Sequence, residues 1–181
     1  MRKIILSIAV SIDGFIADEL GGIKWLAPYE NTGEDYGYKH FLASVDTLLI
    51  GRKTYEQTLT FGEWPYPKKR VYVFTREMKK NLNEGIIFSD HPEKIARDLK
   101  TKKGKDIWLV GGSEIIALLR EGELIDEMII VFIPELLGKG IPLFKQGTKQ
   151  AHLNLVDLKK YDNGIVQGHY KVEKRVIIET P

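Results

Sequence analysis

The sequence contains no cysteine. Disulfides, thiolate nucleophiles and cysteine-based zinc sites are therefore excluded. Neither sign of charge dominates: 27 Lys and Arg stand against 25 Asp and Glu, a formal net charge of +2. That balance leaves no electrostatic footprint for nucleic acid. No apolar run approaches the length of a membrane span, and the first residues read as a strand rather than a signal peptide. The expectation is a soluble cytoplasmic protein with neither a membrane nor a nucleic-acid partner. Neither G-x-G-x-x-G nor a Walker A motif occurs. His40, His91, His152 and His169 are scattered without ligand spacing, so no metal is expected. There is also no internal repeat, low-complexity tract or linker. One domain over residues 1–175, with a short tail at 176–181, is expected.

What is there centres on Ile107-Trp108-Leu109-Val110-Gly111-Gly112-Ser113-Glu114-Ile115-Ile116. Four apolar residues in a row read as a strand buried on both faces. A Gly pair ends it, Ser113 reads as an N-cap, and a helix over 113–121 follows. A strand, a glycine turn and a helix start leave backbone N–H groups at a positive helix end, which suits a phosphate. The stretch Gly51-Arg52-Lys53-Thr54-Tyr55-Glu56 repeats that logic after a strand over 45–50, with two cations at the turn.

Other elements follow from the same periodicities. Residues 3–10 read as a central strand and lead into a Gly-containing loop that reaches Trp25, placed as a lid over a site. A helix is predicted over 35–44, with Asp35 in its first turn. Strands follow over 69–74 and 86–88, and Pro92 opens a helix to about 102. A long strand over 126–134 precedes two more near 152–159 and 164–173, joined by the hairpin-type turn Asp162-Asn163-Gly164. This pattern predicts an α/β fold: a mostly parallel twisted sheet, helices on both faces and an antiparallel C-terminal edge. Three strand ends then look suited to a ligand with several phosphates: residues 51–54, Thr75-Arg76 and 111–115. Arg52, Lys53 and Arg76 together favour a 2′-phosphate, hence NADPH over NADH.

Four motifs in this order give a family resemblance. They are Ser11-Ile12-Asp13-Gly14-Phe15-Ile16-Ala17, the stretch 51–56, Val110-Gly111-Gly112-Ser113-Glu114, and Leu137-Gly138-Lys139-Gly140-Ile141-Pro142-Leu143-Phe144. The chain resembles the dihydrofolate reductase superfamily from residue 4 to about 172. Within it, the chain is most similar to the reductase domain of the bacterial bifunctional riboflavin-pathway deaminase/reductase and its stand-alone relatives. The resemblance implies an eight-stranded sheet with four helices and NADPH lying across the strand ends.

By position, the resemblance puts Gly51, Arg52, Lys53 and Thr54 under the cofactor phosphates, with Thr75 and Arg76 flanking the 2′-phosphate. It puts Val110, Gly111, Gly112, Ser113, Glu114 and Ile115 along the pyrophosphate and nicotinamide ribose. Ala9 and Ile16 frame the nicotinamide, and Trp25 closes the loop over it. Asp13 is the loop carboxylate near the substrate and the candidate general acid. Folate reductases place one buried carboxylate shortly after the loop Trp. Counting forward from Trp25 gives Glu30, and counting back from Gly51 gives Asp35; with Trp25 and Phe41, both are substrate-side candidates. The implied activity is NADPH-dependent hydride transfer to a small heterocyclic or ribosylaminopyrimidine-like substrate. Dihydrofolate reduction is the alternative, and a non-catalytic NADP-binding protein the second. Related reductase domains pair, and the apolar runs 128–132 and 138–144 point to a homodimer.

Overall fold

The computed structural model describes residues 1–30, 32–77 and 85–173. The expected tail at 176–181 lies outside them. Eight strands form the main sheet: β1 (Ile4–Ser11), β3 (Val45–Gly51), β4 (Arg70–Phe74), β5 (Ile86–Ser89), β6 (Asp106–Gly111), β7 (Glu127–Ile133), β9 (Leu153–Lys160) and β10 (Val166–Val172). Two short strands, β2 (Phe15–Ala17) and β8 (Ile141–Pro142), pair separately. The main order is β5-β4-β3-β6-β1-β7-β10-β9. Strands β5 to β7 in that order are mutually parallel, and β10 and β9 add antiparallel at one edge. The four expected helices are α1 (Tyr38–Ser44), α2 (Arg52–Leu59), α3 (Pro92–Thr101) and α4 (Ser113–Glu121), with a 3-10 helix over Lys24–Tyr29.

Continuous apolar strands form because both sheet faces are covered. Leu49, Ile107, Leu109, Leu6 and Met128 join Ala96 and Leu99 of α3 and Ile116 and Leu119 of α4 in one core. Their strand neighbours Leu48, Ile50, Val71, Val73 and Trp108 point the other way, toward Tyr55 of α2 and Phe41 of α1. The alternation 48/49/50 and 107/108/109 is the period-2 pleat read out as two cores. Truncating Leu109, fully buried, to Ala would cost about 2–5 kcal/mol.

Two local expectations change. Helix α1 starts at Tyr38 rather than Asp35; Gly37 holds its cap position, and Asp35 lies ahead of it and reaches back to its first turn. Asp35 Oδ1 accepts the Gly37 N–H at 2.9 Å, and Oδ2 accepts the Lys39 N–H at 3.3 Å. Ser113 is the first residue of α4, not its cap; Gly112 holds the cap position, and Ser113 Oγ donates to the Pro142 carbonyl. In the apolar run 128–132, Ile129, Val131 and Phe132 stay half-buried. Strand β7 lies between β1 and β10, with Met128 and Ile130 buried. No helix among the described residues is long and apolar enough to cross a membrane.

Candidate functional site

The carboxyl ends of β3 and β6 meet at their glycines. A Cβ built on Gly51 would sit 3.5 Å from Gly111 O, 3.6 Å from Gly112 N and 3.8 Å from Ile115 Cγ2. One built on Gly112 would sit 3.4 Å from Thr54 Oγ1 and 3.9 Å from Ile16 Cδ1. Gly51, Thr54, Gly111, Gly112, Ile115 and Ile16, drawn from three distant motifs, thus line one spot. Gly111 has φ +112°, a backbone region that a side chain disfavours, and the peptide after it is cis. Helices α2 and α4 both start at glycine with no side-chain cap among the described residues. Their first-turn amides keep a positive dipole end bare toward the same spot. Helix α1 differs, since Asp35 serves its first turn.

The first and fourth motifs grip one another. Ser11 Oγ donates to Asp13 Oδ1 at 2.5 Å, and the Asp13 carboxylate accepts the Leu137 N–H at 3.2 Å and the Gly138 N–H at 2.6 Å. Leu143 N–H donates to the Gly14 carbonyl at 2.9 Å, beside the β2–β8 pairing. Gly140 runs so close to this loop that a Cβ would overlap the Ala17 carbonyl oxygen. The Ser11 hydroxyl, followed by the Gly138 and Leu137 amides, holds the Asp13 carboxyl below the usual carboxylate range. Asp13 is therefore ionised at neutral pH, with both oxygens engaged by the loops.

The remaining predicted residues fall into three groups. Ala9 is half-buried on β1 opposite Val131, and Val110 is half-buried against the second core. Thr75 is buried at the end of β4, and its Oγ1 accepts the Glu77 N–H at 3.0 Å. Lys53 and Arg76 are exposed, Arg52 lies between Glu56 and Glu77, and Glu114 pairs with Lys145. These line the strand ends. Trp25 is half-buried in the 3-10 helix, with an indole N–H that is buried and lacks a partner among the described residues. The substrate-side carboxylates do not converge with them. Glu30 is exposed, and Asp35 is half-buried with its carboxylate bonded to the Gly37 and Lys39 N–H groups at the start of α1. The Gly37 and Lys39 N–H groups hold the Asp35 carboxyl low. Phe41 packs edge-on against Trp108, ring centroids 5.5 Å apart.

Ser11, Glu77 and Tyr36 were missed in the sequence. Tyr36 has φ +52°; its hydroxyl accepts from Asn163 Nδ2 at 2.6 Å and its carbonyl from Gln167 Nε2 at 3.1 Å. These bonds tie the segment before α1 to the β9–β10 hairpin. Only the Ser-x-Asp spacing of residues 11 and 13, a common turn pattern, was visible beforehand. Among the described residues, no group of His, Asp and Glu is arranged to hold a metal.

Residues 2–167 match the family described as the RibD C-terminal domain. The chain belongs to that family. This RibD C-terminal domain is 41% identical over 171 residues to the uncharacterized protein YwjB of Bacillus subtilis (strain 168), covering 93% of this chain and 97% of that one. Its structure is similar to that of a putative riboflavin biosynthesis protein from Shewanella sp. PV-4, with TM-score 0.84 and 30% identity over 96% of this chain and 100% of the other. A Thermotoga maritima deaminase/5-amino-6-(5-phosphoribosylamino)uracil reductase gives TM-score 0.70 at 18% identity, over 94% of this chain and 56% of that one. Enterococcus faecalis dihydrofolate reductase, complexed with NADP(H), gives 0.65 at 18% identity over 95% and 97%. At that identity the last two establish the fold alone, which is dihydrofolate reductase-like.

Proposed function

We propose that this RibD C-terminal domain is an NADPH-dependent reductase acting on a small ribosylaminopyrimidine-like heterocycle. The observation that carries the reading is the shared glycine spot, where Gly51, Gly111 and Gly112 leave backbone open beside two uncapped helix starts. A dinucleotide pyrophosphate needs that combination of close approach and bare amides. Arg52, Lys53, Thr75 and Arg76 would hold the adenosine phosphate; Ser113, Glu114, Ile115 and Val110 would line the pyrophosphate and ribose. Ala9 and Ile16 would frame the nicotinamide. When bound, the cofactor supplies a hydride from its C4 for an electron-poor carbon of the substrate. The pyrimidine class is drawn from the reductase named in the Thermotoga protein and from the riboflavin description of the Shewanella one.

The chain's own part is placement. Trp25, whose indole N–H has no partner among the described residues, offers one donor to a bound molecule at the loop. Asp13 acts by fixing the loop: an ionised carboxylate bonded to Gly138, Leu137 and Ser11 has no proton to give at neutral pH. The reading includes a homodimer formed through the apolar runs 128–132 and 138–144.

The test is a panel of ribosylaminopyrimidines and dihydrofolate, followed by loss of NADPH absorbance. Turnover of a ribosylaminopyrimidine is expected; NADPH binding with no turnover on the panel would leave the non-catalytic reading. Asp13→Asn should keep NADPH affinity and lower kcat about a hundredfold, the scale of a displaced reacting group. Loop placement predicts the same fall at every pH. Loss of one limb of the pH profile would instead restore Asp13 as a general acid.

A further inference from the structure

The cations at the ends of β3 and β4 are not alone. Arg52 Nη1 lies 3.5 Å from Glu77 Oε2 and 3.6 Å from Glu56 Oε1. Glu56 reaches it from one turn along α2. Glu77 reaches it from the neighbouring strand end, where the turn is fixed twice. Thr75 N–H donates to the Ser89 carbonyl at 2.9 Å, and Glu77 N–H donates to Thr75 Oγ1 at 3.0 Å. A phosphate arriving here meets Arg52, Lys53 and Arg76, but also two carboxylates. An Arg that faces a carboxylate must give up that partner to fork onto a phosphate. A phosphate monoester and a carboxylate also repel. A ribose hydroxyl behaves oppositely: it carries no charge and donates to a carboxylate, the way acidic residues favour NAD in other dinucleotide folds.

We propose that Glu77 is a specificity residue that narrows this chain's preference for NADPH over NADH, by competing with the 2′-phosphate for Arg52 and accepting a bond from a free 2′-hydroxyl. This rests on the reading that Arg52, Lys53 and Arg76 face the adenosine ribose. Glu77 is exposed and belongs to neither core among the described residues, so its replacement leaves the fold intact.

The experiment is titration calorimetry on the full chain and on Glu77→Gln and Glu77→Lys. The probes are NADPH, NADH, adenosine 2′,5′-bisphosphate and AMP. Glu77→Gln should tighten NADPH and the bisphosphate by about three- to fivefold at low ionic strength, the upper range for one exposed charge pair. NADH and AMP, which share a free 2′-hydroxyl, should both weaken, and Glu77→Lys should extend the gain for NADPH and the bisphosphate. Added salt should shrink it. An unchanged NADPH-to-NADH ratio in both variants, with the unaltered protein binding NADPH, overturns the role of Glu77 alone. An equal gain for AMP and the bisphosphate overturns it too, because the effect is then general charge. Failure of the unaltered protein to bind either dinucleotide removes the reductase reading, and this proposal with it.

Discussion

The two ends of the parallel sheet use charge in opposite ways. At the amino ends the charges are buried and paired. Arg2, 7% exposed, pairs with Asp46 and donates to Thr47 Oγ1 at 2.8 Å and the Lys105 carbonyl at 2.5 Å. Lys100, 8% exposed, pairs with Asp126, which also accepts the Ile4 N–H at 2.9 Å. Glu127 sits between Lys3 at 2.8 Å and His169 at 2.9 Å. At the carboxyl ends there are glycines, uncapped helix starts and the exposed Lys53 and Arg76. A buried charge that is already paired has its role inside the fold, since losing the partner strands it. Exposed cations beside open backbone remain available to a ligand, and open α/β sheets bind ligands at this end. Substitutions at the two ends should therefore separate stability from binding.

The largest effect is expected at the amino end. Asp126→Ala leaves buried Lys100 without its carboxylate and Ile4 N–H without its acceptor. It should cost about 3 kcal/mol, a fall of roughly 6–12 °C in Tm, with NADPH affinity unchanged. Thermal unfolding followed by titration on the folded variant checks both halves. The mirror experiment is Gly112→Val. A side chain there fills the space beside Thr54 and Ile16, so NADPH affinity should drop at least a hundredfold, while circular dichroism and Tm stay near those of the unaltered protein. Normal affinity in the folded variant would move the pyrophosphate elsewhere.

The smallest effect sharpens the amino end by pH. Burial pushes the Glu127 carboxyl up, but hydrogen bonds from Lys3 and His169 outweigh it and leave the group below its ordinary 4.5. A depressed carboxylate stabilises the fold above its unfolded value, and that stability is lost as pH falls from about 4.5 through the lower folded value. Denaturant midpoints across that acid range should fall more steeply for the unaltered protein than for Glu127→Gln. Equal slopes would show that Glu127 makes no net electrostatic contribution.

The long elements were legible in the sequence because their signal is local. Strand β6, helix α4 and the β3–α2 junction announce themselves by apolar runs ended at glycine, and the structure brings those glycines together. Strands β2 and β8 were invisible, having three and two residues. Contacts far apart in the chain hold them: Asp13 with Gly138, Leu143 with Gly14, and Gly140 against Ala17. Ser113 misled for a related reason, since its hydroxyl satisfies Pro142 instead of its own helix. Asp35 was correctly read as a helix-start residue but placed inside the helix, because an Asp in the first turn and an Asp before it look alike in a sequence. The partners of Asp13, namely the Ser11 hydroxyl and the Leu137 and Gly138 amides, were also hidden, because two of the three lie more than 120 residues away in the chain.

The central claim is that the carboxyl end of the sheet holds NADPH. Thermal unfolding with and without saturating NADPH tests it on three proteins at once. A ligand that binds only the folded state raises Tm according to its concentration over Kd. The account predicts a rise for the unaltered protein, the same rise from a lower starting point for Asp126→Ala, and none for Gly112→Val. No rise in the unaltered protein, or an undiminished rise in Gly112→Val, would contradict it.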